Sequence, residues 1–206
     1  MASLNSTEKT AEEQLLVREI THRINNEFAS AVSVVSLIAS RSNNEEVKLA
    51  LAVVLEHLNS YARVHRALQM PSQTSSINAS EYMRTLCQSI SRSKLDCRGI
   101  ELVYVESSVA LSSERCWKLG MIVFELITNA ARHAFGQGGG TIRVELSSTG
   151  ALIECRVVDN GAVRGRIRPG QGMKILEALA RGLDGEITQI FGSSGGTSIL
   201  VFPEQP

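Results

Sequence analysis

The stretch Glu125-Leu126-Ile127-Thr128-Asn129-Ala130-Ala131-Arg132-His133-Ala134-Phe135 sets an acid, an amide, a cation and an imidazole at helical spacing inside an apolar frame. Glu125, Asn129, Arg132 and His133 fall at i, i+4, i+7 and i+8. All four therefore project from one side of a helix, while Ile122, Leu126, Ala130 and Ala134 supply another. A core helix has little use for such a polar stripe. Carboxylate and amide oxygens suit a hard cation such as magnesium, and the arginine and histidine one turn on suit phosphate oxygens, which points to a nucleotide and metal site. The competing explanation is an amphipathic helix whose polar side is simply solvated, and this segment alone does not separate the two.

Around this helix the chain alternates between two periods. Extended, β-rich stretches stand at Glu101 to Glu106, Thr141 to Ser148, Ala151 to Val158, Glu186 to Phe191 and Thr197 to Phe202. They are interleaved with helices expected at about Ser113 to Phe135 and Gln171 to Arg181, and a further helix runs from about Ile77–Ser80 to Cys97. Gly138-Gly139-Gly140, Ser148-Thr149-Gly150 and Ser193-Ser194-Gly195-Gly196 punctuate the strands. This half, residues 77–206, reads as an α/β sandwich.

Upstream of the polar, proline-containing linker Met70 to Ser76, only the helical period appears. From about Thr10 to Arg41, Val17, Ile20, Ile24, Phe28, Ala31, Val35 and Ile38 recur in steps of three and four. Ser42-Asn43-Asn44 breaks the pattern. From Glu45 to about Gln69, Val47, Leu51, Val54, Leu58, Tyr61, His65 and Leu68 repeat it. Residues 1–76 thus form a helical hairpin. A lone hairpin cannot bury an apolar seam on each arm, so pairing with a second copy into a four-helix bundle is expected, which makes the protein a homodimer. The whole chain is of the α+β class.

At 206 residues the chain exceeds the ~150 expected of one domain, in keeping with two compact units. Lys plus Arg equals Asp plus Glu at 21 each, so no bulk basic field argues for nucleic acid or an anionic membrane. Cys87, Cys97, Cys116 and Cys155 form no close pair and read as reduced core thiols rather than a disulfide framework or zinc site. Apolar runs such as Leu49 to Leu55 are far short of the ~20 residues a membrane span needs, and MASLNSTEKT lacks a signal-peptide apolar region. A soluble, cytoplasmic protein is expected.

Other polar residues carry chemistry. His22 lies between seam residues Ile20 and Ile24, so its ring should point away from the bundle, and a neutral imidazole there is a competent nucleophile toward phosphorus. Most surface histidines are inert, and His57 and His65 read as structural. Val157-Val158-Asp159-Asn160-Gly161 carries a buried strand into a turn and leaves an Asp159 carboxylate that can accept from the exocyclic amine of adenine, although the same tripeptide is a common turn. Gly170-Gln171-Gly172 opens a helix whose amides can hold phosphate, and Arg164, Arg166, Arg168 and Lys174 add cations around it.

In this order the motifs resemble the transmitter core of two-component sensor histidine kinases. EITHRINNEF around His22 is similar to the phosphoacceptor box of the HWE and HisKA_2-like group, and ARVHRAL near His65 resembles a second segment of that group. FELITNAARHAF is similar to the N box, VVDNG to the first glycine box, GQGMKILEALARGLDGEI to the second and GGTSILVFP to the final strand motif. The resemblance covers nearly the whole chain. It implies a dimeric phosphoacceptor bundle followed by a Bergerat-type ATP-binding domain, with ATP and Mg2+ as cofactors and a response-regulator receiver as partner. It also implies His22 as phosphoacceptor, Asn129 as magnesium ligand, Glu125 near the metal or acting as base, and Arg132 and His133 on phosphate. Asp159 then reads adenine, Gly161, Gly170 and Gly172 allow close approach of the nucleotide, and Asn26 stands where related kinases orient water for the reverse phosphatase reaction.

Two departures from the family pattern bear on activity. The family usually has a further small glycine two residues after Gly161, but this chain has Ala162-Val163 with a glycine only at Gly165, and the segment from Gly161 to Gly170 is short for an ATP lid. They keep two alternatives open: a histidine phosphotransferase with a degenerate ATP-binding domain that relays phosphate between receivers, and a non-enzymatic docking module for a regulator. With no sensor domain ahead of His22, input is expected from a partner such as a separate sensor subunit.

Overall fold

The computed structural model describes residues 2–71, 76–136, 138–162 and 171–205, with the backbone alone for residues 2–14, 18 and 171. The chain divides into two compact units, Met1–Gln69 and Met70–Pro206.

The first unit is two helices, α1 (Ala2–Arg41) and α2 (Glu45–Ala67). Asn44 caps α2 by accepting the Glu46 N–H at 2.8 Å, and Glu45 and Glu46 favour the positive end of its dipole. The helix begins eight residues earlier than its periodicity predicts, since the α1 backbone is helical from Ala2 rather than about Thr10. Phe28 meets His65 across the hairpin with ring centroids 5.1 Å apart, so His65 is a packing residue. The seams are only partly covered within one hairpin: Leu51 and Leu58 are half-buried, but Ile38 is 51% exposed and Val54 44%.

The second unit opens with strand β1 (Ile77–Asn78) and α3 (Ala79–Ile90), capped by Asn78 on the Glu81 N–H at 3.2 Å. The helix expected to reach Cys97 instead widens into a π-helical turn, Ser91–Leu95, and tightens into a 3₁₀ turn, Asp96–Arg98, that Gly99 ends with φ +63°. Ser91 Oγ, donating to Asp96 Oδ1 at 2.7 Å, spans this change of pitch, and Leu95 is fully buried by it. Then come β2 (Ile100–Glu106), β3 (Ala110–Leu111), α4 (Ser113–His133), β4 (Gly140–Thr149), β5 (Leu152–Asp159), α5 (Gln171–Arg181), β6 (Glu186–Gly192) and β7 (Gly195–Pro203).

Five strands form one sheet in the order β2-β4-β5-β7-β6, while β1 and β3 make a separate two-residue ladder. β2 and β4 are parallel and the other neighbours antiparallel. A parallel pair needs a crossover, and α4 supplies it. The period-two alternation sorts the sheet into faces: Ile142, Val144 and Leu146 of β4, and Ile153, Cys155 and Val157 of β5, are buried toward α3, α4 and α5. Arg143, Glu145, Glu154 and Arg156 occupy the opposite face as ion pairs. Arg115 near the start of α4 donates to the carbonyls of Leu183 and Pro203 and lies over the Phe202 ring, tying the helix to the far end of β7. Cys87, Cys116 and Cys155 are buried, and desolvation pushes the Cys87 and Cys116 thiols up to about 12. Cys97 is exposed and is not the core thiol its sequence context predicts, because it sits in the 3₁₀ turn rather than in a helix.

Candidate functional site

α4 brings the polar stripe into the second unit. Its buried side is broader than the four residues the periodicity selects: Val123, Ile127 and Ala131 are buried beside Ile122 and Leu126, whereas Ala130 is only half-buried. The stripe then separates into two parts. Glu125 and Asn129 form a pair, the Asn129 Nδ2 group donating to Glu125 Oε1 at 3.0 Å. Arg132 and His133, in the last turn, are exposed and line an open cleft of about 540 Å³ with Phe135, Gly136, Asn160 and Gly161. A solvated face alone does not explain the first part, because the first turn of α5 closes onto it. A Cβ on Gly172 would lie 2.5 Å from Glu125 Oε1 and 3.9 Å from Asn129 Nδ2. Glu125 thus faces the amide-rich, positive end of α5, a favourable setting for an anion.

Asp159 ends the buried row of β5, and the strand register turns it inward, opposite Gly196 of β7. Its residue exposure is 8%. Oδ1 accepts the Gly161 N–H at 3.1 Å, and Gly196 also donates through its backbone. Desolvation by burial nevertheless holds the carboxyl above its ordinary range, outweighing those two hydrogen bonds. Close approach explains the glycines. A Cβ on Gly161 would meet the Ala134 Cβ, carbonyl carbon and oxygen within 2.6 Å, and one on Gly196 would lie 2.6 Å from Asp159 Oδ2. The next residue, Asn160, bridges β4 and β5 by accepting the Thr141 N–H at 2.8 Å.

Gly195 and Gly196 read as mere punctuation in the sequence; only the β5–β7 register shows that Gly196 walls the Asp159 carboxylate while Gly195 lies against the Asp159 backbone carbonyl. Arg98 has no motif around it, yet it donates to the Gly136 carbonyl at 3.2 Å and so fastens a wall of the cleft. Lys174 is exposed. Gly170, Arg164, Arg166 and Arg168, together with the lid, lie outside the described residues. In the first unit His22 is exposed, with Asn26 Nδ2 3.2 Å from its Nδ1.

These residues fit a magnesium nucleotide. The hydrogen bond to Glu125 leaves the Asn129 Oδ1 and the second Glu125 oxygen as hard donors. Such a partial donor set suits Mg2+, which takes the rest of its octahedron from water and substrate phosphate. A cleft of this volume is of ordinary ligand size.

A helical hairpin followed by a mixed sheet with three helices on one face, and an acid–amide pair beside a second helix start, is the layout of a histidine kinase transmitter core. Comparison with known proteins places it by family. Residues 19–94 match the histidine kinase family HisKA_2, and residues 97–185 match the histidine kinase-like ATPase domain. The chain belongs to the histidine kinases. It is 29% identical over 195 residues, 90% of its length, to the sensor histidine kinase PdtaS of Mycolicibacterium smegmatis, of which it spans 38%. The fold is similar to the histidine kinase domain of an Erythrobacter litoralis blue-light-activated histidine kinase, with TM-score 0.60, 20% identity, and 86% and 95% of the two chains covered. It is also similar to a bacterial phosphotransferase, with TM-score 0.62, 11% identity, and 92% and 94% covered. No described helix is long and apolar enough to cross a membrane.

Proposed function

We propose that this protein is a cytoplasmic, ATP-dependent protein-histidine kinase that phosphorylates His22 and passes the phosphoryl group to an aspartate of a response-regulator receiver. The observation that carries this reading is the Glu125–Asn129 pair held against the first turn of α5, a hard-oxygen donor set beside a helix start inside an ATPase-type domain. Each residue then has a task. Asn129 and Glu125 hold magnesium, which neutralises triphosphate charge when bound. Arg132 and His133 meet phosphate at the cleft, Gly161 and Gly172 let the nucleotide approach the backbone, and the buried Asp159 carboxylate accepts from the adenine amine. The domains act as 1–76, the dimerisation and phosphotransfer hairpin, and 77–206, the ATP-binding sandwich.

His22 attacks the γ-phosphorus through a ring-nitrogen lone pair, so positioning supplies most of the rate enhancement. The exposed Ile20, Leu37, Ile38, Val53 and Val54 on the hairpin support a homodimer that buries them in a four-helix bundle. A separate sensor subunit is a fitting source of input. Incubation with labelled ATP and magnesium labels the wild type and not His22→Ala; equal labelling of both refutes the reading.

A second reading rests on the sequence after Gly161, where the family pattern has a glycine two residues on and this chain has Val163, which lies outside the described residues. If that substitution closes the pocket to ATP, His22 takes phosphate from a phosphorylated receiver instead. Calorimetry with a non-hydrolysable ATP analogue and magnesium separates the two, since micromolar binding favours the kinase.

A further inference from the structure

Among the described side chains the His22 ring has one hydrogen-bonding partner, the Asn26 amide one turn later on α1, with Nδ2 3.2 Å from Nδ1. The neighbouring groups are occupied. Arg23 Nε donates back to Glu19 at 2.9 Å, so the nearest described carboxylate before His22 is engaged by a guanidinium, and the Thr21 hydroxyl donates to the Val17 carbonyl at 2.7 Å. No acid follows His22 directly, because position 23 is that arginine. Among the described side chains, the group placed to fix the imidazole proton on this turn is the amide of Asn26.

A neutral imidazole has one in-plane lone pair. While Asn26 Nδ2–H donates to Nδ1, that lone pair is taken and the ring proton stands on Nε2, so neither nitrogen can attack an electrophile. A half-turn of the Asn26 amide brings Oδ1 to the same place. It then accepts from Nδ1–H and leaves the Nε2 lone pair free. Both orientations are open to a side chain exposed on a helix, as the terminal torsion of asparagine is broad.

We propose that Asn26 is a positioning residue that selects the tautomer of His22: amide nitrogen toward the ring is the idle state, amide oxygen toward it the reactive one. This rests on His22 as phosphoacceptor. In the reactive state the Nε2 lone pair forms the N–P bond as the bond from the γ-phosphorus to the bridging oxygen breaks, with its electron pair leaving on ADP. The Nδ1 proton, held on Asn26 Oδ1 during the attack, then passes to water and leaves a neutral phosphoimidazole.

The test uses the full chain labelled with 15N-histidine, read by long-range 15N–1H correlation at pH about 8.5, above imidazole titration. His22→Ala assigns the signal. The wild type is expected to carry the proton mainly on Nε2. Asn26→Asp, which can only accept, shifts it mainly to Nδ1, and Asn26→Ala lies between. Initial autophosphorylation rates at saturating ATP follow the tautomer, with kcat of Asn26→Asp about twofold above that of Asn26→Ala, as befits an exposed i, i+4 contact. The same tautomer in all three proteins, or a shift to Nδ1 without a rise in kcat while His22 is labelled, overturns the proposal. A tautomer shift in proteins that never label at His22 refutes the phosphoacceptor reading and upholds Asn26 as the tautomer-setting group.

Discussion

Gly172→Ala separates the proposed magnesium clasp, Glu125 with Asn129, from the fold. The new Cβ would lie 2.5 Å from Glu125 Oε1, well inside contact distance, but that atom is the end of a flexible side chain, so Glu125 gives way and the backbone stays. What is lost is the half-buried bond from Asn129 Nδ2 at 3.0 Å, about 1 kcal/mol. What is gained is the removal of a helical glycine, roughly 0.5–1 kcal/mol. The two nearly cancel, so thermal melts of the variant and the wild type should coincide within a few degrees. Function does not cancel, because Asn129 loses the partner that orients it and Glu125 is displaced. Loss of such a supporting contact lowers metal-dependent affinity about tenfold or more. Calorimetric titration with a non-hydrolysable ATP analogue at fixed magnesium reads that change directly. An affinity within twofold of wild type would show that Glu125 and Asn129 are not the clasp. A large drop in melting temperature would show that Gly172 is there for packing. Gly161→Ala is the contrasting control, since its Cβ would strike the Ala134 carbonyl group, which cannot move aside, and stability must fall with affinity.

Asp159 gives a pH signature of known sign. Its folded-state carboxyl is raised by burial above the ordinary 3.8, so the folded protein holds that proton more tightly than the unfolded chain. The contribution is full below the unfolded value and is lost as pH rises through the folded one; the buried anion therefore opposes folding at neutral pH. Asp159→Asn should flatten this part of the stability–pH curve above about pH 4 while abolishing adenine binding, and a curve that keeps the wild-type slope would refute the assignment. On the hairpin, light scattering at micromolar concentration should give the mass of two chains for the wild type and of one for Ile38→Glu/Val54→Glu, with the second unit's melting unchanged. A monomeric wild type would exclude the bundle.

Much of the fold was legible because its signals are local. The steps of three and four through Val17 to Ile38 and Val47 to Leu68 mark two helices without reference to anything else, and α5 runs from Gln171 to Arg181 as its periodicity predicts. The two-residue strands β1 and β3 carry no period and were invisible, and the π-helical turn after Ile90 keeps a helix-like pattern while changing pitch. At the site, residue types and spacing on α4 marked Glu125, Asn129, Arg132 and His133. Their division into an acid–amide pair and a cleft wall depends on where α5 and the turn after β5 come to rest.

By itself, then, the sequence determined which residues are chemically equipped and on which elements they ride, because helical and strand periods follow from covalent geometry. Tertiary structure alone decided which of them meet. Asp159 is a buried acceptor rather than an ordinary turn residue because β5 pairs with β7 in the register that sets it opposite Gly196. Gly172 meets the Glu125–Asn129 pair because α5 packs with its first turn against Glu125. Both are contacts between distant parts of the chain, fixed by sheet register and helix packing, and no local spacing encodes them.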